Sequence, residues 1–148
     1  MLQSFARRLL LRPRLSPLSL LHARTVCHFS AFTENTFHLT ADTTLNNIQD
    51  ALDVLDDDNE HLNVDSTYAS GVLTIGLGAA GTWVINKQTP NKQVWYSSPI
   101  SGPARFEWEA GKAEWIHTRD AKPLATLFED EIEQAVGVRA DIDWDVAE

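Results

Sequence analysis

The sequence is nearly without cysteine: Cys27 stands alone. One thiol cannot close an internal disulfide, hold a zinc or form a redox pair, so thiol-based metal chemistry within one chain is excluded. No apolar run reaches the roughly 18 residues of a membrane span, which argues against a membrane role. Two other absences divide the chain. Residues 1–33 contain no Asp or Glu, and the stretch between Arg24 and Lys87 contains no Lys or Arg. Of the 12 basic residues, Arg7, Arg8, Arg12, Arg14 and Arg24 lie in the first 33 positions, leaving 7 against all 21 acids in residues 34–148. The two parts therefore carry +5 and −14, within a formal net charge of −9. Such acidity disfavours a nucleic-acid partner, which needs Lys and Arg to displace counterions from phosphate. With 148 residues, 43% apolar and 22% charged, the chain has material for one packed domain and no more.

The basic segment reads as a targeting peptide. Leu2, Phe5, Ala6 and Leu9 share one helical face, with Arg7 and Arg8 mostly off it, until Pro13 interrupts the pattern. An Arg-, Leu- and Ser-rich, acid-free amphipathic stretch is the composition of a mitochondrial transit peptide. A basic tail of another purpose and a chloroplast address are the rival readings. Residues 1–33 are thus expected to be cleaved, with the cut near Ser30 to Glu34, taking Cys27 with them.

In the remainder, Leu45, Ile48, Leu52 and Leu55 follow helical spacing and predict a first helix over Asp42 to Asp58. Asp42, Asn46, Asp50, Asp53 and Asp57 fall on the flank opposite that stripe, and Asp56, Asp58 and Glu60 extend the charge around the C-terminal end. That end carries partial negative charge and favours cations, so the acids are poorly placed for helix stability. From Val64 the period changes to two. Leu73, Ile75 and Leu77, then Trp83 and Ile85, mark the buried faces of two strands joined at Gly78 to Gly81. Further strands are expected over Gln93 to Ser98, Pro103 to Trp108 and Ala113 to Thr118, too closely spaced for crossover helices. Leu124, Leu127, Phe128, Ile132 and Ala135 predict a second helix, with Pro123 near its start and Gly137 at its end. The expected fold is an α+β two-layer sandwich: an antiparallel sheet of about six strands over residues 34–137, with the N- and C-terminal helices packed on one face. Residues 138–148 form an acidic tail, either laid over the domain or disordered. The opposite sheet face is left open, and if Val94 and Tyr96 enter the core, Trp95 and Asn86 are displayed on it.

Several motifs fail on context. Gly76-Leu77-Gly78-Ala79-Ala80-Gly81 matches a dinucleotide fingerprint letter for letter, but the next residues are strand-like and Ser101 stands where an acid is needed. In a calcium-loop frame starting at Asp56, His61 occupies the glycine position and Thr67 the closing glutamate. Asp141, Asp143 and Asp145 have the alternation of such a loop but no room to close one. Two features remain. The acidic flank carries several like charges at helical spacing, each pair slightly destabilising, and offers hard oxygen donors to divalent cations or a basic partner. Trp95, with Gln93, Asn86 and Lys87 around it, has the make-up of an interface hot spot.

The run Gly71-Val72-Leu73-Thr74-Ile75, then Gly81 through Trp95 (GTWVINKQTPNKQVW), then Ser97-Ser98-Pro99 and Ser101-Gly102-Pro103, strongly resembles the frataxin family over most of residues 37–136. The resemblance implies the same sandwich, a mitochondrial matrix location and a role in iron-sulfur cluster assembly. It implies an activator that binds the complex of cysteine desulfurase and iron-sulfur scaffold protein and accelerates sulfur transfer. Ferrochelatase and ferredoxin are further implied partners. The alternative is an iron chaperone and ferroxidase, oxidising Fe2+ to Fe3+ and storing iron in oligomers; otherwise the protein is expected to be monomeric. By position, Asn86, Lys87, Gln88, Gln93, Trp95, Pro103 and Arg105 match the family's partner-binding sheet face. Asp42, Asp50, Asp53, Asp57 and Asp65 match its acidic ridge, where iron binds weakly, and Asp56 adds to the set. Asn46 and Asn63 stand where acids are usual, and Val54 interrupts the ridge. The helix-face carboxylates lack the inward-facing Glu and His constellation of a di-iron site, which favours the activator.

Overall fold

The computed structural model describes residues 32–59 and 61–146. The targeting-peptide reading falls on residues 1–31, outside the described residues, except that Phe32 and Thr33, which it included, belong to the folded domain. Helix α1 (Glu34–Asp58) starts eight residues before the expected Asp42. Thr33 caps it, accepting from the Thr36 amide at 3.1 Å. The buried stripe runs back from Leu45 through Ala41 to Phe37. Thr36, Thr40, Thr43 and Thr44 conceal this turn of helix in the sequence, because threonine is a weak helix former. Of the two buried threonines, Thr44 is satisfied in place: its hydroxyl donates to the Thr40 carbonyl at 2.9 Å and accepts from the Trp115 indole at 3.0 Å.

Six strands follow: β1 (Asp65–Ala69), β2 (Val72–Gly76), β3 (Thr82–Gln88), β4 (Gln93–Ser98), β5 (Gly102–Glu109) and β6 (Glu114–His117). They pair antiparallel in sequence order, the meander that short connections impose. Helix α2 (Leu124–Val136) ends on Gly137 at φ +77°, whose amide donates to the Glu133 carbonyl at 2.8 Å. Leu73, Ile75, Trp83, Ile85, Val94, Tyr96 and Phe106 from the inner sheet face join Leu45, Ile48 and Leu52 of α1 and Leu124, Phe128 and Ile132 of α2 in one core. The α+β sandwich expected from the sequence is the fold observed. Residues Gly78–Ala80 form a tight turn before Gly81 at φ +115°, where a Cβ would meet Pro99 Cγ at 2.9 Å. A strand follows this turn rather than a helix, so it has no dinucleotide geometry.

The C-terminal stretch is laid over the domain as far as Val146. Ala140 and Ile142 are buried and Val138, Trp144 and Val146 half-buried, while Arg139, Asp141, Asp143 and Asp145 face solvent. This is an extended strap with a two-residue period. It is tied at both helices. Asn47 Nδ2 donates to the Asp143 carbonyl at 2.8 Å, and Trp144 Nε1 donates to Glu129 Oε1 at 2.6 Å. Arg139 bridges Glu129 at 2.5 Å and Glu133 at 3.1 Å. Within the core one carboxylate is enclosed: Glu131 of α2, 4% exposed, accepts from Trp83 Nε1 at 2.9 Å, from the Tyr96 hydroxyl at 2.7 Å and from the Ser98 hydroxyl. These bonds join α2 to the inner faces of β3 and β4.

Candidate functional site

The outer sheet face is set by strand register. Asn86, Trp95 and Arg105 lie abreast on β3, β4 and β5, with Gln88, Gln93 and Glu107 in one neighbouring row and Val84, Ser97 and Pro103 in the other. Trp95 lies on this face, half-buried rather than fully displayed. Its indole Nε1 donates to Gln93 Oε1 at 3.0 Å, and Gln93 Nε2 donates to Glu107 Oε1 at 2.7 Å. From the other side the Arg105 guanidinium sits 4.7 Å from the ring centroid, a cation–π contact. The ring is therefore held in one orientation before any partner arrives, which reduces the ordering cost of binding. Beside it Pro103, Arg105, Thr118 and Arg119 help to bound a groove of about 270 Å³.

Lys87 departs from the face assigned to it. Alternation along β3 sends it to the helix side of the sheet, opposite Val94 of the core, and not beside Asn86. Its stem crosses Gly71, where a Cβ would lie 2.9 Å from Lys87 Cε, and its ammonium pairs with the Asp42 carboxylate on α1. The Tyr68 hydroxyl donates to the same oxygen. Burial acts to raise the Asp42 carboxyl, but Lys87 and Tyr68 outweigh it and hold the group below the usual carboxylate range. Burial, then the bond to Asp42, pushes the Tyr68 hydroxyl well above the usual phenol range. One end of the acidic flank is thus neutralised by a cation distant in sequence.

The other carboxylates are spread along the same flank. Asp50, Asp53, Asp57 and Asp65 are exposed and Asp56 is half-buried. Asp53 accepts from the Ser66 hydroxyl at 2.9 Å, and Asp56 from the Val64 amide at 2.8 Å, which fixes the entry to β1. Asp56 thus compensates in part for its place at a helix C-terminus by supplying an acceptor there. Among the described residues no three His, Cys, Asp or Glu side chains converge as a metal cage. Carboxylates on one rod, some already hydrogen-bonded, suit a hard divalent cation held by one or two oxygens with water completing its shell.

A two-layer α+β sandwich with a carboxylate-lined helix on one side and a fixed indole on its open sheet face is the class of protein these features define. The chain belongs to the frataxin-like domain family, whose profile matches residues 30–138. It is 40% identical to mitochondrial frataxin of Arabidopsis thaliana over 113 residues, covering 76% of this chain and 60% of that protein. Against mitochondrial frataxin of Dictyostelium discoideum it is 43% identical over 98 residues, covering 66% of this chain and 51% of the other. The chain thus spans about half to two-thirds of the length of these curated relatives. Among solved structures it is similar to a trimeric frataxin from Saccharomyces cerevisiae, described as complexed with ferrous iron: TM-score 0.60, 38% identity, 67% of this chain and 87% of that one. A mitochondrial location follows from this membership.

Proposed function

We propose that the protein is an iron-binding activator of the mitochondrial complex of cysteine desulfurase and iron-sulfur scaffold, accelerating sulfur transfer to the scaffold. The observation that carries this reading is Trp95, fixed by Gln93 and Arg105 on the open sheet face beside Asn86. An anchored aromatic on an otherwise polar face is where binding energy concentrates. The acidic flank of α1, on the helix layer, steers the approach to basic surface of the complex, and Trp95 lengthens residence. Asn86, Gln88, Gln93, Pro103 and Arg105 form the contact face; Lys87 contributes indirectly by pairing with Asp42. Replacing Trp95 with alanine is expected to abolish stimulation of sulfide production in a reconstituted desulfurase assay, with Fe(II) binding unchanged. Normal stimulation by this variant would refute the reading.

Iron is cargo in this account, held by Asp50, Asp57 and the free oxygen of Asp53. The triple replacement of Asp50, Asp53 and Asp57 by asparagine is expected to weaken anaerobic Fe(II) binding about tenfold or more, since asparagine keeps the shape and removes the charge. Titration calorimetry reads this directly, and unchanged affinity would place the iron elsewhere. Oxygen consumption by the same variant tests the ferroxidase alternative, which predicts lost turnover. The outward-facing carboxylates favour that alternative less, because they lack facing Glu and His partners.

A further inference from the structure

The domain is acidic, yet its few cations are not distributed evenly between paired and free. Residues 34–148 contain seven Lys or Arg. Five have partners among the described residues. Lys87 pairs with Asp42, Lys112 with Glu109, Lys122 with Asp130 and Arg139 with Glu129, Asp130 and Glu133, while Lys92 donates to the Phe32 carbonyl at 2.6 Å. The other two, Arg105 and Arg119, are exposed, have no carboxylate partner among the described residues, and line the same groove beside Trp95. The acids close to them in sequence are bonded to other groups through one oxygen each: Glu107 Oε1 accepts from Gln93, and Asp120 Oδ1 accepts from the Lys122 amide at 3.1 Å and pairs with His117 at 2.6 Å. Two guanidiniums without a carboxylate partner among the described residues, one of them stacked on Trp95, in a chain with three times as many acids as bases beyond residue 33, point outward to an anion.

From this geometry we infer that the groove between Trp95 and Arg119 receives an acidic peptide segment of the partner protein. A carboxylate of that segment bridges Arg105 and Arg119, and an adjoining apolar side chain lies against the indole. Ser97 and Thr118 supply hydroxyl groups at the groove wall. The inference rests on the docking reading above and gives it a chemistry: the helix flank meets basic surface, and the sheet face meets acidic surface. Arg119, on the turn after β6, becomes a recognition residue that the sequence reading did not single out.

Two measurements on the full chain test it. In the first, the 15N-labelled protein is titrated at low ionic strength with a tetrapeptide carrying two central glutamates. Saturable shifts of the Arg105 and Arg119 Nε–H and the Trp95 Nε1–H signals are expected, absent with the glutamine counterpart, and the Trp95 Nε1–H shift is expected to be lost in the Arg105→Gln, Arg119→Gln double variant. Missing or equal shifts would overturn the inference. In the second, affinity for the desulfurase–scaffold complex is measured. Arg119→Glu is expected to weaken it at least tenfold and Arg119→Lys less than threefold. If Arg119→Glu binds like the unaltered chain while Trp95→Ala does not, the acidic contact is refuted and the docking reading survives. Peptide shifts in a chain whose Trp95→Ala variant still stimulates normally would support the acidic-peptide site and refute the desulfurase assignment.

Discussion

Replacing Glu131 with alanine is expected to lower stability by about 4 kcal/mol, the range for breaking a buried hydrogen-bonded charge and leaving its partners unpaired. The Trp83 indole, the Tyr96 hydroxyl and the Ser98 hydroxyl would all lose their acceptor, and all three side chains are buried. Domains of this size are stable by only about 5–15 kcal/mol, so a large part of the margin goes. Urea unfolding followed by tryptophan fluorescence should show the midpoint falling by about 2 M or more. A loss under about 1 kcal/mol would mean that the sheet and α2 reseal without the carboxylate. The same residue makes a pH prediction. Burial pushes its carboxyl up, but hydrogen bonding from Ser101, Ser98, Tyr96 and Trp83 outweighs burial and holds it below the ordinary 4.5. Its stabilisation is therefore complete above that value and is lost as pH falls through the folded one. Glu131→Gln, which cannot titrate, should lose less stability between pH 7 and pH 4 than the unaltered chain. Equal losses would assign the acid sensitivity to other carboxylates.

Truncation after Val138 is expected to cost about 3 kcal/mol, from the apolar surface of Ala140, Ile142 and Trp144 less the entropy regained by freeing the strap. Ala140 and Ile142 are buried, and the Trp144 ring lies edge-on to Phe128 with centroids 6.5 Å apart. Calorimetry should show Tm lower by on the order of 10–15 °C. Arg139→Ala alone, which removes ion pairs made by an exposed guanidinium, should lower stability by less than about 1 kcal/mol. If truncation does no more than that, the strap rests on the domain without supporting it.

The architecture was legible because its signals are periodic. Leu45, Ile48, Leu52 and Leu55 read as helix, and Leu73, Ile75, Trp83, Ile85, Val94 and Tyr96 as inward strand residues, from spacing alone. The start of α1 was hidden by threonines, one of which, Thr44, accepts from the distant Trp115 indole, a contact no local pattern reveals. Lys87 was misplaced although its neighbour Asn86 was placed correctly; strict alternation would have turned it inward, and a resemblance of residues does not carry their direction. The strap was visible too: the aspartates at 141, 143 and 145 alternate with Ile142, Trp144 and Val146, and only the acidic half of that pattern was read. Glu131 lies three residues after Phe128 and one before Ile132, on the apolar stripe of α2, which is the sequence signature of an enclosed carboxylate. The pairing state of Arg105 and Arg119 could not be read in advance, because it depends on where every other charge finds its partner.

Phe32 stacks on Trp108 with centroids 6.3 Å apart and meets Phe37 and Trp115 edge-on, while Thr33 caps the first helix. The fold therefore limits how far the N-terminus can be trimmed without loss. Removal of the residues before Phe32 would leave this aromatic wedge and the cap in place. Trimming to Glu34 would strip both, open α1 with bare amides, and uncover the indoles of Trp108 and Trp115 that Phe32 packs against.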